Sequence, residues 1–296
     1  MAPKKRLNIL LADDGSQHAQ AAVELLQNIP IPVKSHIWIL RAFNSGQIPS
    51  ISEFEAALVR SKSQLTGRGL RVDTDLKLGS AAEMILEKAE TNRLDLIVLG
   101  AKGLRSTMSI LLGGVAQQVV EYALCPVLIV RAPYLGFRKI LLVTDGSPSS
   151  LSAARYVGKF PLPSKSDVRV MHVLPPIPVP IMMEPHFGAW NTVYAVYPTR
   201  DEEAVIRKRD TKLGEALLNR TSSLLQRNGI ESTPVLVRGD AATEIMDYVK
   251  AEKIDLIVAG SRGFGNFKSL WMGSVSRKLV HYSDCSVLVV KGPRKE

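Results

Sequence analysis

RLNILLADDGSQHAQAAVELL, residues 6–26, runs from a short apolar segment through an Asp-Gly-Ser turn into an amphipathic stretch. RKILLVTDGSPSSLSAARYV, residues 138–157, repeats that order, with Asp14 opposite Asp145 and Ser16 opposite Ser147. Both read as strand, turn, helix. Apolar runs such as ILLA, and further on LIVLG and VLIV, lack the polar alternation of a strand with one wet face. They read as strands covered on both sides, as in a parallel sheet.

The repetition continues. Residues 77–103 match 237–263, and YALCPVLIVRAP (122–133) matches YSDCSVLVVKGP (282–293). A preserved internal offset marks a duplicated unit. The offset is 131 at Asp14/Asp145 and 160 at Gly100/Gly260, so 160 − 131 = 29 extra residues enter the second copy after His172. The proline-rich segment from Leu174 to Thr199 reads as the site of that surplus, a long irregular loop suited to a lid, a partner surface or a mobile excursion.

Strands are expected near Asn8–Ala12, His36–Ala42, Leu70–Lys77, Asp95–Leu99 and Val127–Arg131, with helices between. Five strands and four helices make a doubly wound, Rossmann-like α/β domain. Two such domains in tandem are expected, at residues 1–133 and 134–296, the second with its long loop insertion near 174–200. The last strand of each copy, VLIV or VLVV, would be an apolar edge that invites pairing. The copies can satisfy it together as a pseudo-twofold unit, much as a homodimer would.

Composition narrows the function. With 46% apolar and 22% charged residues the chain reads as globular. The first residues, MAPKKRLNILLADDGS, have an apolar run broken by Asp13 and Asp14, and read as no signal peptide. The longest apolar candidate for a membrane span, from Val173, is cut by prolines. Cys125 and Cys285 make neither a disulfide framework nor a zinc site, which fits a reducing cytoplasm, and both read as buried structural thiols. The net charge of +10 is spread along the chain, so it points to solubility and not to nucleic acid.

In a doubly wound sheet, ligands sit beyond the carboxyl ends of the strands where strand order reverses. That directs attention to the loops after the first and fourth strands of each copy. Gly260-x2-Gly263-x9-Gly273-Ser274 follows the fourth strand of copy two, and Gly100-x2-Gly103-x9-Gly113-Gly114 that of copy one. Glycines let a phosphate reach backbone N–H groups, and a helix starting at Gly273 offers Ser274, Val275 and Ser276 with their free donors and the positive dipole end. The hydroxyls of Ser274 and Ser276 would add hydrogen bonds to an anion, or one would cap the helix.

With the Asp-Gly-Ser turn, this spacing resembles the universal stress protein family, in its ATP-binding subgroup with G-x2-G-x9-G-[ST], over both copies and hence nearly the whole chain. The resemblance implies the adenine nucleotide alpha hydrolase-like fold, dimerisation through the last strand, and ATP, with Mg²⁺ as its usual companion. It places Asp145 at the ribose, Val143 and Thr144 beside the nucleoside, Val173 against adenine, and Gly260, Gly263, Gly273, Ser274, Val275 and Ser276 around the phosphates. The same positions in copy one are Asp14, Ala42, Gly100, Gly103, Gly113 and Gly114. Copy two is the expected ATP site. Copy one is the weaker, because Gly114 and Ala116 replace both serines and Asp13 puts a negative charge where copy two has Thr144.

No G-x4-G-K-[ST] is present, and neither His172 nor His281 belongs to a recognisable catalytic set. Any ATP turnover would therefore be slow. RGFGNF, residues 262–267, only superficially matches an RNA-recognition strand. The expected function is nucleotide-dependent regulation in a stress response, with adenine nucleotide and unidentified proteins as partners. The alternatives are a nucleotide-free dimerisation scaffold and a slow ATPase.

Overall fold

A computed structural model describes residues 6–67, 69–103, 112–177, 199–264 and 272–292. Copy one comprises β1 (Asn8–Ala12), α1 (Gln17–Asn28), β2 (His36–Phe43), α2 (Ile51–Leu65), β3 (Arg71–Leu78), α3 (Ala81–Thr91), β4 (Leu96–Gly100), α4 (Gly114–Tyr122) and β5 (Val127–Val130). Copy two repeats the series as β6 (Lys139–Val143), α5 (Pro148–Val157), β7 (Asp167–Leu174), α6 (Arg200–Gln226), β8 (Thr233–Arg238), α7 (Ala241–Glu252), β9 (Leu256–Gly260), α8 (Ser274–Tyr282) and β10 (Ser286–Val290).

All ten strands form one sheet in the order β3-β2-β1-β4-β5-β10-β9-β6-β7-β8. Every pairing is parallel except β5 with β10, which run antiparallel with Leu128 opposite Leu288. The apolar edges expected of VLIV and VLVV thus meet each other within one chain. Leu128 and Leu288 have no exposed surface, so the seam is dry.

Strand alternation divides the core in two. Ile9 and Leu11 of β1 point to the face covered by α1, α2, α5 and α6, whereas Leu10 points to the face of α3, α4, α7 and α8. Both apolar layers run unbroken across the seam, from Ile9 to Val290 on one face and from Leu10 to Val289 on the other. Burial on two faces is why these strands read as continuous apolar runs.

The surplus of copy two is placed differently from the sequence expectation. α6 has 27 residues where α2 has 15, so 12 of the additional residues lengthen a helix and do not belong to a loop. α6 starts with a full capping box: Thr199 accepts from the Glu202 N–H, and the Glu202 carboxylate accepts from the Thr199 N–H. The expected lid or partner role of the preceding loop falls on residues 178–198, outside the described residues. Among the described residues, no helix is long and apolar enough to cross a membrane.

Candidate functional site

Strand order reverses between β1 and β4 in copy one and between β6 and β9 in copy two. Each reversal opens a crevice at the carboxyl ends of those strands. The Asp-Gly-Ser turn lines one side. Gly15 and Gly146 turn the chain at φ +82° and +85°, a region that suits glycine. Ser16 and Ser147 then cap α1 and α5, accepting from the N–H groups of Ala19 and Ser150. The same hydroxyls donate across the crevice to the carbonyls of Lys102 and Arg262, both at 3.1 Å. One serine therefore fixes a helix start and the glycine loop together.

The glycines divide into two kinds. A Cβ on Gly100 would lie 2.7 Å from His18 Cβ and 2.9 Å from the Ala19 nitrogen; on Gly260 it would lie 2.6 Å from Ser149 and Ser150 backbone atoms. These two are bare because α1 and α5 pack directly on the strand ends. A Cβ on Gly103 or Gly263 would stand 2.6 Å from an oxygen of Asp14 or Asp145, so each loop leans on the aspartate of its copy. Gly113 and Gly273 differ: their nearest neighbours would be at an ordinary 3.5 Å, and Gly114 has nothing within 4 Å. The described fold does not require glycine there.

Those last positions open α4 and α8. Gly113 and Gly273 are the N-caps, and among the described residues neither helix has a side-chain cap. The first-turn N–H groups of residues 114–116 and 274–276 precede the first intrahelical bonds, which run from Gln117 to Gly113 and from Arg277 to Gly273. Uncapped first-turn donors at a positive dipole end form an anion seat.

In copy one the crevice is a cavity of about 320 Å³. Asp14, Ala42, Gly100, Gly103, Gly113 and Gly114, singled out from the sequence, all line it. Its apolar floor comes from Leu40, Ile85, Leu99 and Ala116, and Lys102 stands in its wall. Ile85 and Lys102 were missed by sequence reasoning, although Lys102 sits between two motif glycines and its counterpart Arg262 supplies the same charge sign. Small Ala12 and Ala42 line this cavity where copy two has Val143 and Val173.

Asp13 does not project an uncompensated charge. It is 5% exposed, its Oδ2 accepts from Ser61 Oγ at 2.6 Å, and its Oδ1 lies 3.7 Å from the Arg41 guanidinium. Arg41 Nε also donates to the Asp13 carbonyl at 2.9 Å. In copy two the corresponding His172 donates from Nδ1 to the Thr144 carbonyl at 2.8 Å, and Thr144 Oγ1 meets Ser150 Oγ at 3.3 Å.

The two serines of copy two also part company. Ser276 is buried and donates to the Gly260 carbonyl at 2.7 Å, anchoring α8 on β9. Its proton is spent on the fold. Ser274 is exposed at the helix start. Val143, Val173 and Val275 are partly buried against the apolar layer of the α8 face, and Asp145 Oδ1 accepts from the Ser147 N–H. Residues 265–271 between the motif glycines lie outside the described residues. Among the described residues, no cluster of three or more metal-ligating side chains occurs.

Comparison with known proteins agrees with this architecture. A universal stress protein of Mycobacterium tuberculosis is 24% identical, covering 98% of this chain and 98% of its own. One of Thermus aquaticus is 36% identical over 135 residues, 42% of this chain and 97% of its own. The crystal structure of a universal stress protein from Archaeoglobus fulgidus superposes with a TM-score of 0.67 at 20% identity, covering 98% of both chains, which speaks to the fold alone. The sequence model of the universal stress protein family matches residues 5–131 and again residues 136–291. The chain belongs to the universal stress protein family, as two of its domains in tandem.

Proposed function

We propose that this chain binds adenine nucleotide at both copies, phosphates at the starts of α4 and α8, and that occupancy regulates its interactions in a stress response. One observation carries the reading: an uncapped, glycine-led helix start faces an aspartate across a crevice at the strand-order reversal, and it occurs twice. The apolar cavity floor in copy one suits a base, Asp14 or Asp145 can accept from ribose hydroxyls, and Lys102 or Arg262 brings positive charge to the phosphate side. The G-x2-G-x9-G-[ST] pattern supports ATP as the nucleotide. Mg²⁺ would arrive with the triphosphate, held by its oxygens.

Copy two is the tighter site by one hydroxyl, that of Ser274, since Ser276 already serves the fold. One hydrogen bond to a charged group is worth about 1.5–3 kcal/mol, or roughly 10- to 150-fold in affinity. The Arg41–Asp13 pair removes the electrostatic objection to copy one. His172 donates its Nδ1–H to the Thr144 carbonyl, which fixes the ring and leaves the Nε2 lone pair open. The residue ranges 1–133 and 134–296 remain our proposed domains.

The test is release of nucleotide from purified, denatured protein, identified by chromatography, followed by titration with Mg-ATP. Two sites of unequal affinity are expected, with Gly273→Val abolishing the tighter. A chain that neither releases nor binds adenine nucleotide would be the scaffold of the alternative reading. Steady phosphate release abolished by Gly273→Val would establish the ATPase.

A further inference from the structure

The last strands carry a crossed pair of contacts. Arg131, just after β5, sends Nη2 to the carbonyl of Val280 at 2.9 Å, in α8 of the other copy. Lys291, just after β10, sends Nζ to the carbonyls of Val120 at 2.6 Å and Glu121 at 3.2 Å, in α4 of the other copy. Arg131 and Lys291 are repeat equivalents, and so are Val120 and Val280, each pair 160 residues apart. The contact has thus been kept twice, with the cation type changed. Glu121 of α4 and Arg277 of α8 also pair across the seam at 3.7 Å.

A helix C-terminus leaves carbonyls without intrahelical donors and carries the negative dipole end, so a cation there both satisfies and attracts. α4 and α8 have nine residues each, roughly 13 Å at 1.5 Å per residue. Their other ends are the glycine-led anion seats. Over so short a rod, where the far end is held fixes where the near end points. Burial depresses the pKa of Arg131 and takes that of Lys291 down to about 8, so both charges are kept inside at a cost that solvent exposure would avoid.

We propose that Arg131 and Lys291 are positioning residues that hold the anion-binding helix of the opposite copy, so that each nucleotide site is set from across the β5–β10 seam. The ligand half of this rests on the nucleotide reading above; the clamp itself does not.

Hydrogen exchange on the full chain, with and without Mg-ATP, tests both halves. Without nucleotide, Lys291→Met is expected to speed exchange in the last turn of α4 by 10-fold or more while leaving α8 unchanged. Arg131→Met should do the reverse, and Lys291→Arg should restore α4. With Mg-ATP, Lys291→Met should weaken protection at residues 114–117 by several-fold and spare 274–277, again crossed for Arg131→Met. Equal loosening of both helices, or of neither, overturns the proposal, as does a variant that loosens its helix without changing ATP protection there.

If wild-type protein binds no ATP, the nucleotide reading and with it the ligand half fail, and the crossed exchange pattern alone decides the clamp. Should the methionine variants not fold, the exchanged pair Arg131→Lys with Lys291→Arg keeps both charges. It is expected to interchange the difference in exchange rate that the wild-type chain shows between the C-terminal turns of α4 and α8, and an unaltered difference would count against the clamp.

Discussion

Copy one and copy two brace the same turn by different chemistry. In copy one, a carboxylate (Asp13) is buried with a guanidinium (Arg41) and a hydroxyl (Ser61). In copy two the corresponding residues are Thr144, His172 and Thr221; Thr221 bonds back to the Leu217 carbonyl of its own helix. The carbonyl at the turn receives a side-chain donor in both, from Arg41 Nε and from His172 Nδ1. The shared contact is the carbonyl brace. The charge pair is an addition that had to be complete, since a buried charge without its partner is costly. An Asp compared with a Thr one residue at a time looks like a damaged site; taken with Arg41 and Ser61, it is a closed set.

The contrast can be broken most severely at that set. Arg41→Met should destabilise copy one by about 3–5 kcal/mol in urea unfolding, because it strands Asp13. His172→Phe, which removes one hydrogen bond to a carbonyl, should cost about 1 kcal/mol. Equal losses would mean that the two turns are held alike.

Next in size is the division among the glycines. Gly260→Ala forces a Cβ onto backbone at 2.6 Å and should cost about 3 kcal/mol, whereas Gly273→Ala, at an ordinary 3.5 Å, should cost about 1 kcal/mol while weakening nucleotide binding. A destabilised Gly273→Ala protein with intact binding would exchange the two roles.

A smaller effect sharpens the ranking of the sites. Gly114→Ser in copy one and Ser274→Gly in copy two should each shift ATP affinity by about 10-fold, in opposite directions, measured by calorimetry. An unchanged titration would show that backbone donors alone hold the phosphates.

The smallest expected effect is with pH. Lys291 has a folded pKa of about 8, below its ordinary 10.5, so above pH 8 the unfolded chain holds the proton more firmly and stability rises with pH. Cys125 and Cys285, pushed up to about 12 from 9.0 by burial, oppose this from about pH 9 upward. Between pH 7.5 and 9 the wild-type chain should therefore gain about 1 kcal/mol of unfolding free energy relative to Lys291→Arg, which stays charged and carries the same two cysteines.

The fold was readable because strands buried on both faces leave apolar runs, and because duplication lets each run be checked against its twin. All five copy-one strands end within one residue of their expected ends at both termini, β3 and β4 being displaced by one, β2 extended to Phe43 and β5 shortened to Val130. β5 stops at Val130, and the next side chain, Arg131, reaches α8. What stayed hidden lies in contacts between distant segments. Nothing local says that Gly260 is bare to admit α5, that the Ser276 proton goes to Gly260, or that Ser61 answers Asp13 across 48 residues. The extension of α6 was obscured by the proline-rich stretch before it, which drew the whole surplus into a loop.

The segment joining Val130 to Lys139 is short, so each half meets the other at an effective concentration that dilution cannot lower. In a homodimer every substitution is made twice, once on each side of the axis, and a change that suits one side must be tolerated on the other. Here Arg131 and Lys291, or Asp13 and Thr144, occupy equivalent places and were free to differ. Fusing the β5 and β10 edges into one chain therefore gave the molecule a left and a right.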